Sequence, residues 1–434
     1  MVYSTISVNE FVKEQVEENR RLWYTATDRV PGFGRSYGQE EKKLNLTQLI
    51  DQLNWLCTNL EHSFNDTNNR DCFTAAAGPR IKDLGCHVLG LTSAQLDVFE
   101  QEGLVNLSEE FFQAARQFDP NISTEDIFQA SRNVWTACYL QLLLGLKAKL
   151  TPAIFAYSML YPVTDNFLDD PKRSNQEKLE FNQHFQAWLK GEKIKPINVH
   201  ENAVLRLIQM IEAQYARNQY VQVYESLLAI FDAQLESMLM PNFPIHPYSV
   251  DVLGITLRKG GTSVLADGVL AAGELTVDQM KTIFNYGCFA QFMDDQEDVT
   301  EDLRNRQLTV FTEAARTGKL DDTMNRLFAY SKNIVKGLDL FISERTAPLI
   351  QVSLKGIDLL LIEACVRNQS FYSRFYLAYL EVFFPVSFAS LKKLRNQVRR
   401  RNLSIERLVE TFWPNKTETP SKVFQGVSPQ ILLG

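Results

Sequence analysis

The residues with the clearest chemical potential are aspartates that recur at four-residue intervals. The segment FMDDQEDVTED (292–302) has six carboxylates in its last nine positions and directly follows the apolar FNYGCFAQF (284–292). On a helix, Asp294, Asp298 and Asp302 share one face, where like charges repel at about 0.2–0.5 kcal/mol per pair. A solvated acidic face is the ordinary explanation of one such run. The apolar residues before it favour a cation site where a buried helix emerges.

A second acidic segment, YPVTDNFLDDP (161–171), repeats the same spacing. Asp165 and Asp169 are four residues apart, and Asp170 adds a third carboxylate. Pro171 is expected to end this helix, so the acids fall in its last turn. The helix dipole is negative there and disfavours anions. Turn formation before proline is the alternative explanation, but three carboxylates at that position need a counter-charge.

A divalent cation accounts for both acidic segments at once. Mg²⁺ prefers oxygen ligands and keeps several waters, so it binds through one or two carboxylates together with substrate phosphates. Two such faces on antiparallel helices, opposed across a bundle, could hold several Mg²⁺ ions and an anionic diphosphate. Each acidic segment alone is a weak signal, and the pair is a stronger one.

A basic pair lies between the two acidic segments, in GITLRKGGTSVLADGVLAAGELT (254–276). Arg258 and Lys259 precede two adjacent glycines, which cost roughly 2 kcal/mol relative to alanine in a helix interior. The glycines allow a kink or the close approach of another backbone or a ligand. A cation here could grip a diphosphate; the alternative is a glycine-rich break with two solvated basic residues.

The elements that must position these residues are helices. Apolar residues recur every three to four positions in the segments 203–239, 278–306 and 356–384. Breaks between helices are predicted at Pro120, Pro171, 193–198, 240–249 and Gly318. The sequence therefore predicts an all-α protein.

Three regions are predicted along the chain. Residues 1–125 are more polar and less periodic, and we expect an N-terminal helical subdomain or a cap over the core. Residues 126–412 form the helical core, and residues 413–434 form a loosely ordered tail.

Composition excludes several classes of function. The 434 residues are 45% hydrophobic with a net charge of −7, which is enough for a sizeable core and unfavourable for general nucleic-acid binding. The N-terminus lacks an apolar signal-peptide region, and the most apolar stretch (139–163) is interrupted by lysines and a proline. The six cysteines are scattered, without zinc-site spacing. We expect a cytoplasmic protein with no transmembrane segment and no nucleic-acid partner.

The three segments together resemble the class I isoprenoid synthases, a family that includes trans-prenyltransferases, squalene and phytoene synthases and class I terpene cyclases. DNFLDD is similar to the first aspartate-rich motif of that family, and FAQFMDDQEDVTED is similar to the second. RKGGTSVLADGVLAAG is similar to the diphosphate-binding helix between them. The likeness covers residues 150–310. It implies a large antiparallel helical bundle with a central active-site cavity, often found as a homodimer.

The resemblance also implies roles for individual residues. Asp165, Asp169, Asp294 and Asp298 match the catalytic metal-binding acids. Asp170 and Asp302 are further candidate ligands in a site for three Mg²⁺ ions with the substrate diphosphate. The implied substrate contacts are Lys259, Arg258, Arg304, Arg306, Arg374 and Tyr376. Asn166 and Gly260 depart from the family pattern.

Aromatic side chains are expected to line the cavity and to face a carbocation. Candidate wall residues are Phe155, Tyr161, Phe167, Phe289, Phe292 and the aromatic cluster in 371–384. Ordinary core packing is the alternative for each of them.

The predicted reaction is the Mg²⁺-dependent ionisation of an allylic prenyl diphosphate, followed by cyclisation or elimination. The glycine-lysine-arginine stretch that binds a second diphosphate in elongating prenyltransferases is missing, which favours a single-substrate terpene synthase. The acidic motif also resembles that of the bacterial large-terpene synthases. A prenyltransferase of the polyprenyl diphosphate or squalene/phytoene type is the first alternative. A non-catalytic helical protein with solvated acidic faces is the second.

Overall fold

The computed structural model describes residues 7–63, 67–238, 250–401, 405–413, 421–425, 427–428 and 431. Within these ranges the chain forms nineteen α-helices and no β-strand, which confirms the predicted all-α class. The first ten helices are α1 (Val8–Thr25), α2 (Gln39–Ser63), α3 (Thr67–His87), α4 (Ser93–Gln101), α5 (Leu104–Phe118), α6 (Thr124–Leu143), α7 (Pro152–Asp169), α8 (Asn175–Leu189), α9 (Val199–Gln214) and α10 (Val221–Met238). The others are α11 (Val252–Ala272), α12 (Val277–Glu297), α13 (Val299–Asn305), α14 (Val310–Thr317), α15 (Asp321–Lys336), α16 (Ala347–Arg367), α17 (Arg374–Glu381), α18 (Phe388–Arg400) and α19 (Ile405–Phe412).

Side-chain caps fix where three central helices begin. The Thr151 hydroxyl accepts from a first-turn amide of α7, and proline follows it at a position that lacks an intrahelical partner. The Asp251 carboxylate caps α11 in the same way. Thr276 and Gln279 form a reciprocal capping box at the start of α12. Each cap is worth about 1 kcal/mol and sets the register of a helix that contributes to the cavity described below.

Helix α11 is the centre of the protein. Seventeen of its 21 residues are buried, and it packs against α1, α6, α7, α10 and α12. A helix that is apolar on all sides is stable only when other helices surround it. The sequence of α11 therefore determines a layer of helices on every side of it.

Two glycines bring α11 and α12 into backbone contact. A Cβ built on Gly260 would overlap the carbonyl oxygen of Gly287, and a Cβ on Gly287 would overlap that of Gly260. Gly261 faces the ring of Phe284, which leaves no room for a side chain. The glycine pair noted in the sequence thus serves the close approach of a second backbone.

Three long periodic segments are each divided in the structure. The segment 203–239 forms α9 and α10, with a turn at 215–220 between them. The Tyr224 hydroxyl donates to the carbonyl of Tyr215, which ends α9, and the Tyr215 hydroxyl donates to Leu270 at 2.8 Å. Apolar periodicity continues through the turn because both helices bury the same kind of face, so it does not mark where the chain reverses.

The other two periodic segments are also divided, each by a short break between two helices. The segment 278–306 is interrupted at Asp298, which ends α12 and begins α13. The segment 356–384 contains the end of α16, a short 3₁₀ turn at Gln369–Phe371 and α17. The predicted breaks at Pro120, Pro171, 193–198 and Gly318 all fall between helices or at a helix end. The predicted break at 240–249 and most of the predicted tail at 413–434 lie outside the described residues.

The first helix belongs to the central layer. Helix α1 packs against α10, α11, α12 and α15. The Trp23 ring stacks on Phe292 with a centroid distance of 4.3 Å, and the Arg20 guanidinium pairs with Asp251 at 2.5 Å. By contrast, α2 contacts α3, α18 and α19, and α4 contacts α16. None of the helices in the described ranges has both the length and the apolar character needed to cross a bilayer.

Candidate functional site

Both acidic segments border one cavity of about 520 Å³. Its walls come from α6, α7, α8, α10, α11, α12 and α13. Its charged lining consists of six carboxylates and one ammonium group, from Asp165, Asp169, Asp294, Asp295, Asp298, Asp302 and Lys259. The chain therefore brings together two acidic segments and one basic residue that are far apart in sequence.

Helix α7 contributes a stripe of side chains with a gradient of polarity. Tyr157, Tyr161, Asp165 and Asp169 follow one another at four-residue spacing, and all four line the cavity. Residues at that spacing lie on one face of a helix. Along this stripe the wall changes from aromatic to acidic, and the acidic end coincides with the C-terminus of α7.

The opposite acidic segment comes from the C-terminal end of α12 and from α13. Gln291, Asp294, Asp298 and Asp302 line the cavity at three- and four-residue intervals. Lys259 lies beside Gly260 on α11, at the backbone contact with α12. The glycine contact therefore holds the lysine close to the acidic end of α12.

Burial and mutual repulsion weaken the acidity of the aspartate on α7. Loss of hydration and the nearby Asp169 together raise the pKa of Asp165 to about 6, against the opposing charge of Lys259. Burial likewise raises the pKa of the Tyr161 phenol to about 12, and both Asp165 and Asp294 add to that shift. Carboxylates from the two segments thus act on the same tyrosine.

The second segment shows the same effect. Burial, together with the charge of Asp294, raises the pKa of Asp298 to about 6 and that of Asp302 to about 7. The pKa of Asp294 is also raised by burial, against the opposing charges of Lys259 and of Arg132 on α6. Asp294 and Asp298 are both solvent-exposed, and both border the cavity.

Four of these carboxylates have no internal partner. Within the described ranges, the side chains of Asp165, Asp169, Asp298 and Asp302 form neither a hydrogen bond nor an ion pair. Asp295 differs, because its carboxylate accepts from Gln291 at 2.8 Å and from Thr256 at 3.4 Å. The protein has therefore concentrated unpaired negative charge where repulsion and desolvation both oppose it.

The donor set fits hydrated Mg²⁺. All of the acidic lining groups offer carboxylate oxygens, which Mg²⁺ prefers, and the helix dipoles of α7 and α12 direct their negative ends to the same region. Among the described residues, no group of three or more acidic, histidine or cysteine side chains forms a complete metal site on its own. One or two carboxylates per ion suffice where waters and phosphate oxygens complete the shell.

The uncharged part of the cavity wall combines apolar and aromatic side chains with polar ones such as Asn133, Asn182 and Gln234. Aliphatic and aromatic side chains come from α7, α8, α10 and α11 and from the segment between α13 and α14. They include Tyr157, Leu160, Leu168, Phe185, Leu189, Leu227, Ile230, Phe231, Ile255 and Leu308. The cavity therefore offers carboxylates together with apolar and aromatic side chains, which suits a ligand with a charged head and a hydrocarbon tail.

Several residues predicted to bind substrate lie outside the cavity lining. Arg258 pairs with Glu236 at 3.1 Å, and Arg304 and Arg306 are exposed on and just after α13. Arg374 is exposed at the start of α17, while the Tyr376 hydroxyl donates to Asn325 at 2.8 Å.

The predicted Asp170 also lies outside the lining. Asp170 caps α7, accepts from the Lys172 amide at 2.9 Å and lies 3.7 Å from Arg173. Asn166, on the other flank of α7, donates to Asp126 at 3.1 Å. These neighbours of Asp165 and Asp169 therefore have partners on the outer side of the helix.

Most of the predicted aromatic wall is core packing instead. Phe167 stacks on His200 at 4.4 Å, and Phe289 is buried beside Tyr286. Phe155 and Phe292 are fully buried in the core. Among the five individually predicted wall residues, Tyr161 borders the cavity.

The sequence reasoning missed the aromatic lining from α8 and α10. Phe185 and Phe231 meet edge to face at 5.4 Å, and both border the cavity. Nothing in the local sequence separates them from other core phenylalanines. For Gln291 and Asp295 a signal exists, because each lies three residues from an acidic position already identified, and Tyr157 lies four residues from the predicted wall residue Tyr161.

Comparison with protein-family models, with curated proteins and with solved structures finds no match to this chain.

Proposed function

We propose that this protein is a Mg²⁺-dependent class I terpene synthase that ionises an allylic prenyl diphosphate and releases diphosphate. The observation that carries the proposal is the single cavity bordered by both acidic segments, by Lys259 and by apolar and aromatic side chains. A charged head and a hydrocarbon chain, joined in one molecule, match these two kinds of lining. The class I isoprenoid synthase bundle, with a cytoplasmic location, is part of the proposal.

The position of the acids on the walls of one cavity argues against a merely solvated acidic surface. A surface charge run keeps its ordinary acidity because water hydrates each carboxylate. Here burial raises the pKa of Asp165 and Asp298 to about 6 and that of Asp302 to about 7. Such an arrangement is unfavourable without a cation, and strongly shifted groups in a cleft are candidates for a functional site.

The chain's own residues would hold the diphosphate in one orientation. Asp165 and Asp169 on one wall, with Asp294, Asp298 and Asp302 on the other, would hold Mg²⁺ ions between them and the diphosphate oxygens. Lys259 would donate to the same oxygens, and Arg132 adds positive potential nearby. When bound, Mg²⁺ supplies Lewis-acid stabilisation of the charge that develops on the leaving group.

The bond that breaks is the one between the allylic carbon and the diphosphate oxygen. Its electron pair leaves with the diphosphate, and a carbocation remains among the apolar and aromatic side chains. The wall formed by Tyr157, Phe185, Phe231 and the aliphatic side chains excludes water, and the aromatic faces stabilise the cation. Cyclisation or elimination follows, and elimination returns one proton to the diphosphate, so that hydrocarbon and diphosphate are the products.

The test is incubation of the purified protein with Mg²⁺ and individual C10 to C35 prenyl diphosphates. Each substrate is supplied alone and with isopentenyl diphosphate, and both released diphosphate and hydrocarbon products are measured. The proposal expects Mg²⁺-dependent release from a single substrate. Elongated diphosphates formed only with isopentenyl diphosphate would assign the protein to the prenyltransferases. The absence of Mg²⁺-dependent release with every substrate would leave the non-catalytic alternative.

A further inference from the structure

Helix α18 presents a compact basic surface on an acidic protein. Its sequence, FASLKKLRNQVRR, has no acidic residue, although the whole chain has a net charge of −7. Lys392, Lys393, Arg399 and Arg400 are exposed on it. These four side chains form no ion pair and no hydrogen bond with any other described residue. We call these four residues the basic face.

The basic face occupies one side of the helix. Residues seven apart nearly superimpose along a helix axis, so Lys392 lies above Arg399 and Lys393 above Arg400. The four therefore fall within a sector of roughly 120°, given about 100° per residue. The half-buried Leu391, Leu394 and Val398 occupy the opposite side.

The apolar side is held by the protein. Phe388 and Leu391 pack against the hydrophobic core, and α18 contacts α2. Arg395, beside the apolar side, pairs with Glu363 on α16, and Arg367 on α16 pairs with both Glu363 and Glu297 of α12. The helix is therefore fixed in place and directs its four free cations to solvent.

The chain of ion pairs also locates α18 relative to the cavity. Glu297 is the last residue of α12 and lies next to Asp298, which borders the cavity. The basic face thus belongs to a helix attached to the acidic end of the bundle. On α16, Leu360 lies one turn before Glu363 and is 55% exposed, which places an apolar side chain near the same helix.

We infer that the basic face of α18 docks on the surface of anionic lipid bilayers. A cluster of four or more lysines and arginines on one face of an amphipathic helix is attracted by negative lipid headgroups, at about 1 kcal/mol for each cation near the surface. A nucleic-acid site would call for a strongly basic domain or for aromatic residues among the cations, and the basic face has neither. Because the apolar side packs on the protein, the contact is electrostatic and peripheral. The inference does not depend on the proposed reaction.

The test is flotation of the full chain with lipid vesicles. Neutral phosphatidylcholine vesicles are compared with vesicles in which about a third of the lipid is anionic phosphatidylglycerol. The wild type is expected to float with the anionic vesicles only, and 0.5 M NaCl is expected to release it because salt screens exposed charge over about 4 Å. Replacing the four residues, as K392Q/K393Q/R399Q/R400Q, is expected to lower the partition coefficient about 600-fold, since each cation is worth roughly five-fold.

Two matched variants separate the basic face from general effects. K13Q/K190Q/K193Q/K195Q removes the same charge from exposed positions elsewhere and should float like the wild type. K392R/K393R/R399K/R400K retains the charge on α18 and should also float. Equal flotation of the α18 glutamine variant and the wild type would overturn the inference. So would salt-sensitive binding to RNA, or to a second copy of the chain, in place of vesicles.

Discussion

Asp165 on α7 and Asp294 on α12 are 129 positions apart in the chain, yet both border one cavity and both raise the pKa of the same Tyr161 phenol. Neither segment would need the other if each were a solvated acidic face. Their convergence concentrates carboxylates that repel one another in a recess with a single lysine. A cation that bridges the two walls would reverse that repulsion, and this relationship motivates the predictions below.

Replacing either acid by its neutral isostere should remove catalysis. Asp165→Asn or Asp294→Asn should lower Mg²⁺-dependent diphosphate release on the order of 100- to 1000-fold, because each removes a carboxylate oxygen from the metal-binding wall. The measurement is initial rate at saturating Mg²⁺ with whichever prenyl diphosphate the wild type accepts. Asp51→Asn, an exposed acid on α2, is the matched control and should retain the wild-type rate. Equal rates for all three variants would contradict the proposed metal site.

Lys259 should contribute to diphosphate affinity. Lys259→Gln should weaken the binding of inorganic diphosphate with Mg²⁺ about 10- to 100-fold, since a hydrogen bond to a charged group is worth about 1.5–3 kcal/mol. Titration calorimetry measures this without turnover. Arg304→Gln serves as control, because Arg304 matched the family pattern but lies outside the cavity lining. A larger loss for Arg304→Gln than for Lys259→Gln would contradict the assignment.

The metal-free protein should lose stability as pH rises through the range in which the cavity acids ionise. A carboxylate whose pKa is raised on folding contributes stability that is fully present below its unfolded value of about 4 and is lost as pH rises through the folded value. For Asp302 the folded pKa is about 7. Asp302→Asn should therefore stabilise the metal-free protein at pH 8, on the order of 1 kcal/mol after allowance for solvent screening.

Urea unfolding in EDTA at pH 5 and pH 8 measures this effect, as the difference in free energy of unfolding between Asp302→Asn and the wild type. The comparison with the wild type is needed because His200 affects stability in the opposite sense. Burial lowers the pKa of His200 to about 4, so its contribution to folding stability is lost as pH falls. Asp51→Asn should leave the pH dependence unchanged. A pH-independent difference between Asp302→Asn and the wild type would show that Asp302 ionises normally in the folded protein.

The glycine contact between α11 and α12 should be intolerant of a methyl group. Gly287→Ala should destabilise the fold by about 1–3 kcal/mol, since the new Cβ would overlap the Gly260 carbonyl and force the helices apart. The same displacement would move Lys259 away from Asp294 and weaken diphosphate binding. Thermal or urea unfolding measures the first effect, and calorimetry the second.

Gly356→Ala provides the control for that substitution. Gly356 lies within α16 with nothing near its Cβ position, so alanine should stabilise the helix by up to about 1 kcal/mol. If Gly287→Ala and Gly356→Ala destabilised the protein to the same extent, the loss at Gly287 would reflect the flexibility of glycine and not the contact between α11 and α12.

The sequence by itself determined the helical class and five of the six acidic residues of the candidate site, with Asp295 the exception. The spacing of apolar residues at three- and four-residue intervals can be read from a short stretch of sequence. It therefore predicts a helix wherever one side of that helix packs against the protein. The same spacing placed Asp294, Asp298 and Asp302 on one face before any neighbour was known. Periodicity could not predict the turn at 215–220, because α9 and α10 both continue the apolar pattern across it.

Only the tertiary structure decided which side chains meet. Lys259 borders the cavity, whereas the adjacent Arg258 pairs with Glu236. This difference depends on the rotation of α11 about its axis, which the contact between Gly260 and Gly287 of α12 fixes. In the same way, Phe185 and Phe231 line the cavity while Phe167 and Phe289 are packed elsewhere. Burial alone does not distinguish these phenylalanines, because a cavity wall and a filled core are equally apolar in sequence and differ only in what lies opposite.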